Sequence, residues 1–305
     1  MNCLATVSRY ASLVKFSHTI FALPFALVGY VYALQSNGLP FEWPVLVKVL
    51  LAMVLARNTA MGFNRWADRR IDAQNPRTSG REIPSGTISA RNALWFVVLN
   101  AVLFVLVAWW INPLALALSP VALLVLTGYS LTKRFTAWCH IVLGVALGIA
   151  PIGAYVAVTG QLAVFPILLC GLVITWCGGF DIVYALQDVE FDREHGLHSV
   201  PARWGVRGGI AISIALHMIS VYAVVVAGTY YDAGGLYWVG AALFVGLLTY
   251  QHMRFTPRNL SRIGLSFGTM NGLASVCYAA FAIADLLVRY RESRGSAPMK
   301  GGSDN

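Results

Sequence analysis

Long apolar runs recur through the whole chain and restrict its fold more than any other feature. Each run has about 18 or more residues, the length that crosses the hydrocarbon core of a bilayer as an α-helix. The chain is 58% hydrophobic and only 11% charged, whereas an ordinary soluble domain is about 25% charged. We therefore predict an all-α integral membrane protein with nine transmembrane helices, near residues 18–35, 44–63, 93–111, 113–130, 139–158, 163–187, 208–228, 234–253 and 266–289.

The sequence predicts one polytopic domain over residues 1–290, because no linker or low-complexity insert interrupts the apolar runs. Residues 291–305 are polar and are predicted to form a disordered C-terminal tail. The five cysteines form no CxxC pair, and four of them fall in or at the edge of apolar runs. Buried free thiols explain these cysteines without a disulfide or a zinc site.

Lys and Arg alternate between the loops and predict the orientation in the membrane. They occupy the segment before the first run and the segments after the second, fourth, sixth and eighth runs, while the other loops contain none. The positive-inside rule places the basic segments in the cytoplasm, and we expect a multi-pass protein of the inner (cytoplasmic) membrane. The net charge of +9 is thus a topology signal, and its division among short loops argues against nucleic acid as a partner.

Two acidic clusters interrupt the apolar chain with the same spacing. The first cluster is Asn64-x3-Asp68-x3-Asp72, and the second is Tyr184-x3-Asp188-x3-Asp192. Residues four apart lie on one face of a helix, so each cluster stacks two carboxylates at the cytoplasmic end of an apolar run. Two such pairs facing each other would suit Mg²⁺ ions that also hold the phosphates of a substrate. Solvation of the loop ends is the alternative, and it does not explain why the spacing occurs twice.

Basic residues accompany both acidic clusters. Guanidinium and ammonium groups suit the oxygens of a diphosphate, although basic loop residues are also ordinary topology markers. Arg57 precedes Asn64 by seven residues, and Asp181 precedes Asp188 by seven, so both are expected to line the inner wall of one pocket. The remaining basic candidates are Arg77 and Arg81 after the first cluster, and Lys133 and Arg134 after the fourth run.

Four segments resemble the UbiA superfamily of intramembrane aromatic prenyltransferases in order, spacing and placement, and the resemblance covers nearly the whole chain. They read NRWADRRID, PRTSGREIPSG, YSLTKR and DIVYALQDVEFDREHGLHSVPARWG. The residues of these segments are most similar to those of the 4-hydroxybenzoate polyprenyltransferase branch, including relatives in menaquinone synthesis. The family's two acidic motifs and its YxxxK motif fall on Asn64, Asp68 and Asp72, on Asp188 and Asp192, and on Tyr129 and Lys133.

The resemblance implies a nine-helix bundle around a central cavity and Mg²⁺-dependent transfer of a polyprenyl group from its diphosphate to an aromatic quinone precursor. The implied metal ligands are the residues of the two acidic motifs. Asp181 or Tyr184 is expected to orient or deprotonate the hydroxyl of the acceptor. The residues predicted to bind substrate are Arg57, Asn64, Arg77, Arg81, Tyr129, Lys133 and Arg134.

The resemblance leaves the acceptor open between 4-hydroxybenzoate and a dihydroxynaphthoate. Both are aromatic carboxylates, and Arg57 could pair with either. No obligate protein partner is evident from the sequence. A cation-coupled transporter that uses the acidic clusters as ion sites is the alternative function, and it predicts solute flux with no need for a diphosphate.

Overall fold

The computed structural model describes residues 3–15, 20–254 and 263–295, and the regular structure in those ranges is α-helical apart from short 3₁₀ turns. The helices are α1 (Cys3–Leu13), α2 (Leu23–Ser36), α3 (Trp43–Ala67), α4 (Arg69–Gln74), α5 (Ala90–Ile111), α6 (Pro113–Thr132), α7 (Cys139–Thr159), α8 (Val164–Ala185), α9 (Val189–Glu194), α10 (Val200–Tyr230), α11 (Gly235–Arg254) and α12 (Ile263–Gly295).

Each predicted apolar run corresponds to one of the longer helices. By length and composition, seven helices in the described ranges can cross a membrane. Helix α2 has only 14 residues, and α11 is not one of the seven. The chain is therefore a helical multi-pass membrane protein, but these criteria do not confirm the predicted count of nine spans.

Two helices begin at residues that differ from the starts of the predicted runs. Helix α2 begins at Leu23, with a proline in its first turn where the missing N–H costs nothing. Helix α10 begins at Val200, eight residues before the predicted run, and the Ser199 hydroxyl accepts from the Ala202 N–H at 3.2 Å as its cap. Gly205 then breaks the helix with a φ of 72°, a value that glycine adopts without strain. Apolar length alone detects none of these features.

The predicted tail lies mostly outside the described residues. Helix α12 continues to Gly295, five residues into the segment predicted to be disordered. Residues 296–305 are not described, and neither are residues 255–262, which hold the predicted basic loop between the last two runs.

Helix α8 is the centre of the packing, because it lies against both α7 and α10 and most of its side chains are buried. Small residues allow the close approach of neighbouring helices. Gly29 of α2 faces the Pro151 carbonyl of α7, and Gly144 of α7 faces the Ile174 carbonyl of α8, with no room for a Cβ at either glycine. These tight crossings fix the relative positions of the helices that carry the polar residues.

Candidate active site

A polar cavity of about 400 Å³ lies where α3, α6 and α8 end and α7 begins. The side chains of both acidic clusters line it, although the clusters are more than one hundred residues apart in the chain. The candidate residues on its wall are Arg57, Asn64, Asp68, Asp72, Arg77, Arg81, Tyr129, Lys133, Asp181, Tyr184, Asp188 and Asp192. Arg134 is the one candidate residue that does not line the cavity.

The first acidic cluster keeps helical spacing across a break in the helix. Asn64 lies in α3, Asp68 lies between α3 and α4, and Asp72 lies in α4. The Asp68 N–H donates to the Asn64 carbonyl at 3.0 Å, and the Asp72 N–H donates to the Asp68 carbonyl at 2.8 Å. The i to i+4 register therefore continues through the break, and both carboxylates face the same cavity.

The second acidic cluster contains a tighter turn. Asp188 ends a 3₁₀ turn after α8, and Asp192 lies in α9. Asp192 accepts a hydrogen bond from the Ser199 hydroxyl at 2.8 Å. Asp188 accepts from Asn75 Nδ2 at 3.1 Å and forms an ion pair with Arg77. The loop after the first cluster thus reaches the second cluster and joins the two sides of the cavity.

Basic side chains hold the carboxylates of the first cluster. Lys133 Nζ lies 2.7 Å from Asp68 Oδ2, and Arg81 Nη1 lies 2.7 Å from Asp72 Oδ1. Arg134 contacts the other Asp68 oxygen at 3.2 Å and also donates to the Ala67 carbonyl. Arg134 therefore holds Asp68 in place but does not itself line the cavity.

Arg77 connects the second cluster with Tyr184. Its guanidinium pairs with both Asp188 oxygens and donates to the Tyr184 hydroxyl at 2.9 Å. Burial on its own would lower the pKa of Arg77, but the hydrogen bond and charge of Asp188 raise it above its ordinary value. Arg77 therefore stays charged at the cavity.

Two further cations line the cavity and were not predicted from the sequence. Within the described ranges, neither Lys15 nor Arg65 forms an ion pair with a carboxylate. Arg65 is 4% exposed, and its Nε has no hydrogen-bond partner. Burial lowers the pKa of Lys15, and the positive charges of Arg65, Arg81 and Arg77 lower it further. This excess of positive charge suits an anionic ligand.

Arg57 separates the polar cavity from an apolar cavity of about 360 Å³ and lines both. Its Nη2 donates to the backbone carbonyls of Val14 at 3.3 Å and Lys15 at 2.8 Å, while its Nε has no partner. Tyr129 also lines both cavities. Side chains of α3, α5, α6 and α7 that are mostly aliphatic surround the apolar cavity, so it suits a hydrocarbon chain adjoining a polar head.

Asp181 faces the polar cavity from α8 with 26% of its side chain exposed. Its Oδ2 lies 2.7 Å from Nδ1 of His140, a buried residue of α7. Tyr184 lies one helical turn further along α8. The predicted pair of hydroxyl-orienting groups therefore occupies one wall of the cavity.

Sequence reasoning missed Lys15, Arg65, Asn75 and His140, all of which line the cavity. Asn75 directly precedes the segment PRTSGREIPSG, which carries part of the family resemblance. Lys15 and His140 belong to neither of the two spaced acidic clusters, and only the packing of α1 and α7 brings them to the cavity. Arg65 directly follows Asn64 in the helix. The spacing of four residues that places Asn64 and Asp68 on one face therefore places Arg65 on another face.

The lining of the cavity has the donor chemistry of a magnesium site. The four aspartates of the two clusters supply the carboxylate oxygens that Mg²⁺ prefers. Oδ2 of Asp72 is buried and has no hydrogen-bond partner. Among the described residues, no three His, Cys, Asp or Glu side chains are gathered as a ligand set, and basic side chains pair with Asp68, Asp72 and Asp188. The residues fit the ion, and its binding requires some of these ion pairs to rearrange.

Sequence comparison supports the assignment that the motifs indicate. A profile of the UbiA prenyltransferase family matches residues 22–275. A 4-hydroxybenzoate octaprenyltransferase from Saccharophagus degradans is 30% identical over 286 residues, which are 93% of this chain and 94% of that protein. The similarity therefore extends well beyond the acidic motifs.

Solved structures are also similar to this chain, two UbiA homologs among them. The apo structure of a UbiA homolog from Aeropyrum pernix K1 has a TM-score of 0.79 and 32% identity, with 88% of this chain and 98% of that chain covered. A UbiA homolog from Archaeoglobus fulgidus, in a structure bound to DMAPP and Mg²⁺, has a TM-score of 0.70 at 21% identity, with 92% and 99% covered. The helical arrangement is thus shared over most of each chain.

Proposed function

Because the chain belongs to the UbiA prenyltransferase family, we propose that it transfers a polyprenyl group from a polyprenyl diphosphate to the ring of an aromatic acid, a quinone precursor. The observation that carries this proposal is the convergence of four aspartates and several cations on one cavity that adjoins a second, apolar cavity. A diphosphate with a long hydrocarbon chain matches this division. The Archaeoglobus homolog was solved with DMAPP and Mg²⁺, which agrees with such a donor.

The diphosphate is the leaving group, and the polar cavity is built to stabilise its charge. The allylic C–O bond breaks, and its electron pair leaves with the diphosphate. The four aspartates would hold Mg²⁺, which when bound would supply positive charge against the charge that develops on the diphosphate. Lys15 and Arg65 add cations that form no ion pair with a carboxylate within the described ranges. Lys133 and Arg77 become available to the phosphates when they release Asp68 and Asp188.

The allylic cation must meet the aromatic ring before it meets water. The apolar cavity holds the isoprenoid chain among aliphatic side chains, which keeps water from that side of the reacting carbon. The ring carbon forms the new C–C bond and then loses its proton to the released diphosphate, which restores aromaticity. Asp181 and Tyr184 stand where they can orient the ring hydroxyl, whose electrons make that carbon nucleophilic.

Arg57 is the proposed partner of the acceptor carboxylate. It lies where the two cavities meet, and its Nε has no hydrogen-bond partner. A guanidinium in this position can form a charge-assisted hydrogen bond to a carboxylate in a water-poor pocket. The name of the Saccharophagus relative favours 4-hydroxybenzoate, and a dihydroxynaphthoate would present the same carboxylate and hydroxyl chemistry.

We further propose that all nine long helices cross the inner membrane and that the polar cavity faces the cytoplasm. The alternation of basic loops supports this orientation. The positive-inside rule places the basic segments in the cytoplasm, and both acidic clusters lie at the helix ends that lead into basic segments. Helix α2 is short for a span, and the bilayer can thin locally around a short helix.

An assay of the purified protein in lipid vesicles tests the proposed function. Polyprenyl diphosphates of several lengths and Mg²⁺ are supplied with a panel of aromatic acids, and the product masses are measured. We expect a C-prenylated hydroxy acid that forms only when the diphosphate and Mg²⁺ are both present. Absence of any prenylated product across the panel, together with cation-coupled solute flux into the vesicles, would favour the transporter instead.

A further inference from the structure

His140 is a buried polar residue that the proposed chemistry has not yet used. It lies in the first turn of α7 and is 2% exposed, and both of its ring nitrogens are engaged. Nδ1 lies 2.7 Å from Asp181 Oδ2, and Nε2 lies 3.3 Å from the backbone nitrogen of Val200. Burying an imidazole with both nitrogens satisfied holds its ring in one orientation.

The second contact determines which nitrogen carries the proton. The backbone N–H of Val200 is only a donor, so Nε2 of His140 must accept. A proton therefore lies on Nδ1, which donates to Asp181. The hydrogen bond thus has a fixed direction, from His140 to the Asp181 carboxylate.

The start of α10 links this pair to the second acidic cluster. The Ser199 hydroxyl donates to Asp192 at 2.8 Å, and the neighbouring Val200 N–H donates to His140. The His198 N–H donates to the Lys133 carbonyl at 2.7 Å, so residues 198–200 are anchored on three sides. These hydrogen bonds connect the proposed diphosphate site with Asp181 through Ser199, Val200 and His140.

We propose that His140 is a positioning residue for the acceptor, acting through Asp181. The proposal rests on the proposed prenyl transfer to a hydroxylated aromatic ring. By donating from Nδ1 to Oδ2, His140 favours the ionised carboxylate and fixes its plane. The other oxygen of Asp181, on a side chain that faces the cavity, then accepts a hydrogen bond from the ring hydroxyl, which raises the electron density of the attacking ring.

Two substitutions of similar size separate this role from simple packing. In His140→Asn the amide nitrogen lies close to the position of Nδ1, so a donor to Asp181 is kept. In His140→Gln the amide lies nearer to Nε2, so the contact with Val200 is kept and the donor to Asp181 is lost. We expect His140→Gln to lower kcat/KM for the acceptor by about 10- to 100-fold, the range found for residues that orient ligand groups. His140→Asn should retain most of the activity, and the KM for the diphosphate should change in neither variant.

The double variant His140→Gln/Asp181→Asn provides the decisive comparison. If His140 acts through Asp181, the double variant loses no more activity than Asp181→Asn alone. Losses that multiply, or a His140→Gln variant as active as the parent, would overturn the proposal. Failure of both His140→Asn and His140→Gln to fold would also overturn the proposal, because His140 would then be needed for folding itself. An inactive parent protein would instead refute the proposed function, so the two failures remain distinct.

Discussion

Two aspartates at opposite ends of the bundle, Asp68 and Asp285, are almost equally buried but have different partners. Asp68 is 2% exposed and Asp285 is 3% exposed. Asp285 of α12 accepts from the backbone nitrogens of Gly234 at 3.0 Å and Tyr237 at 3.4 Å, and from the Tyr231 hydroxyl at 3.3 Å. It thereby caps the start of α11, where a negative charge is favoured.

Asp68 instead pairs with side chains that can move. Lys133 and Arg134 hold its two oxygens, and the carboxylate borders an open cavity. Long basic side chains can turn away when a ligand arrives, whereas backbone N–H groups of a helix cannot. Burial alone therefore does not separate a structural carboxylate from one ready to bind a ligand, but the nature of its partners does.

The largest expected effect comes from removing one charge at the polar cavity. Asp68→Asn and Asp188→Asn keep the size of the side chain, but they replace one acceptor oxygen with a donor amide and lose the anion that holds Mg²⁺. We expect kcat to fall by about 10³-fold or more, since stabilisation of a leaving group by a metal contributes several kcal/mol. Both variants should still fold and show a cooperative thermal unfolding transition in detergent. Near-normal turnover in either variant would remove the basis for calling these carboxylates ligands.

Arg57→Ala is expected to have an intermediate effect. If Arg57 binds the acceptor carboxylate, the acceptor KM rises by about tenfold or more while the KM of the diphosphate stays nearly constant. Arg57→Lys is the control, because it keeps the charge but lacks the planar fork. A rise in the donor KM with a lower kcat would assign Arg57 to the diphosphate. Poor folding would show that its contacts with the carbonyls of Val14 and Lys15 are its main role.

Asp285→Ala should have a small effect on turnover and a clear effect on stability. Loss of hydrogen bonds to a buried carboxylate is expected to lower the free energy of unfolding by about 2–3 kcal/mol, while kcat per folded molecule stays constant. Asp232→Asn is the matched control, because Asp232 is 98% exposed in its pair with Arg289 and asparagine tolerates the left-handed φ of 55° at this position. A strong loss of kcat in folded Asp285→Ala protein would contradict the comparison.

Cysteine labelling tests whether the Asp68 end and the Asp285 end of the bundle face opposite sides of the membrane. The cysteine substitutions are expected to change activity least. The native cysteines are first replaced, and single cysteines are then introduced at the exposed residues Ser79 and Asn37. An impermeant thiol reagent should reach Ser79→Cys only from the cytoplasm and Asn37→Cys only from the opposite side. The reverse pattern would place the polar cavity on the side without cytoplasmic diphosphates.

The sequence predicted the helices because apolar length and the spacing of four residues are local properties. It also predicted that Asp68 and Asp188 belong to one site, since matched spacing and the family motifs both indicated this. It did not predict Lys15 or His140, whose places depend on how α1 and α7 pack. The pairing of Arg77 with Asp188 likewise arises from the fold, which brings the loop after the first cluster against the second.

The central claim is that the four aspartates of the polar cavity hold the diphosphate of the donor through Mg²⁺. Binding of a polyprenyl diphosphate to the parent protein in lipid nanodiscs, with and without Mg²⁺, tests this claim most directly, with the corresponding prenyl alcohol as the reference ligand. We predict that the diphosphate binds far more tightly when Mg²⁺ is present and that the affinity for the alcohol does not respond to the ion. Equal affinity with and without Mg²⁺, or equal affinity for the alcohol and the diphosphate, would contradict it.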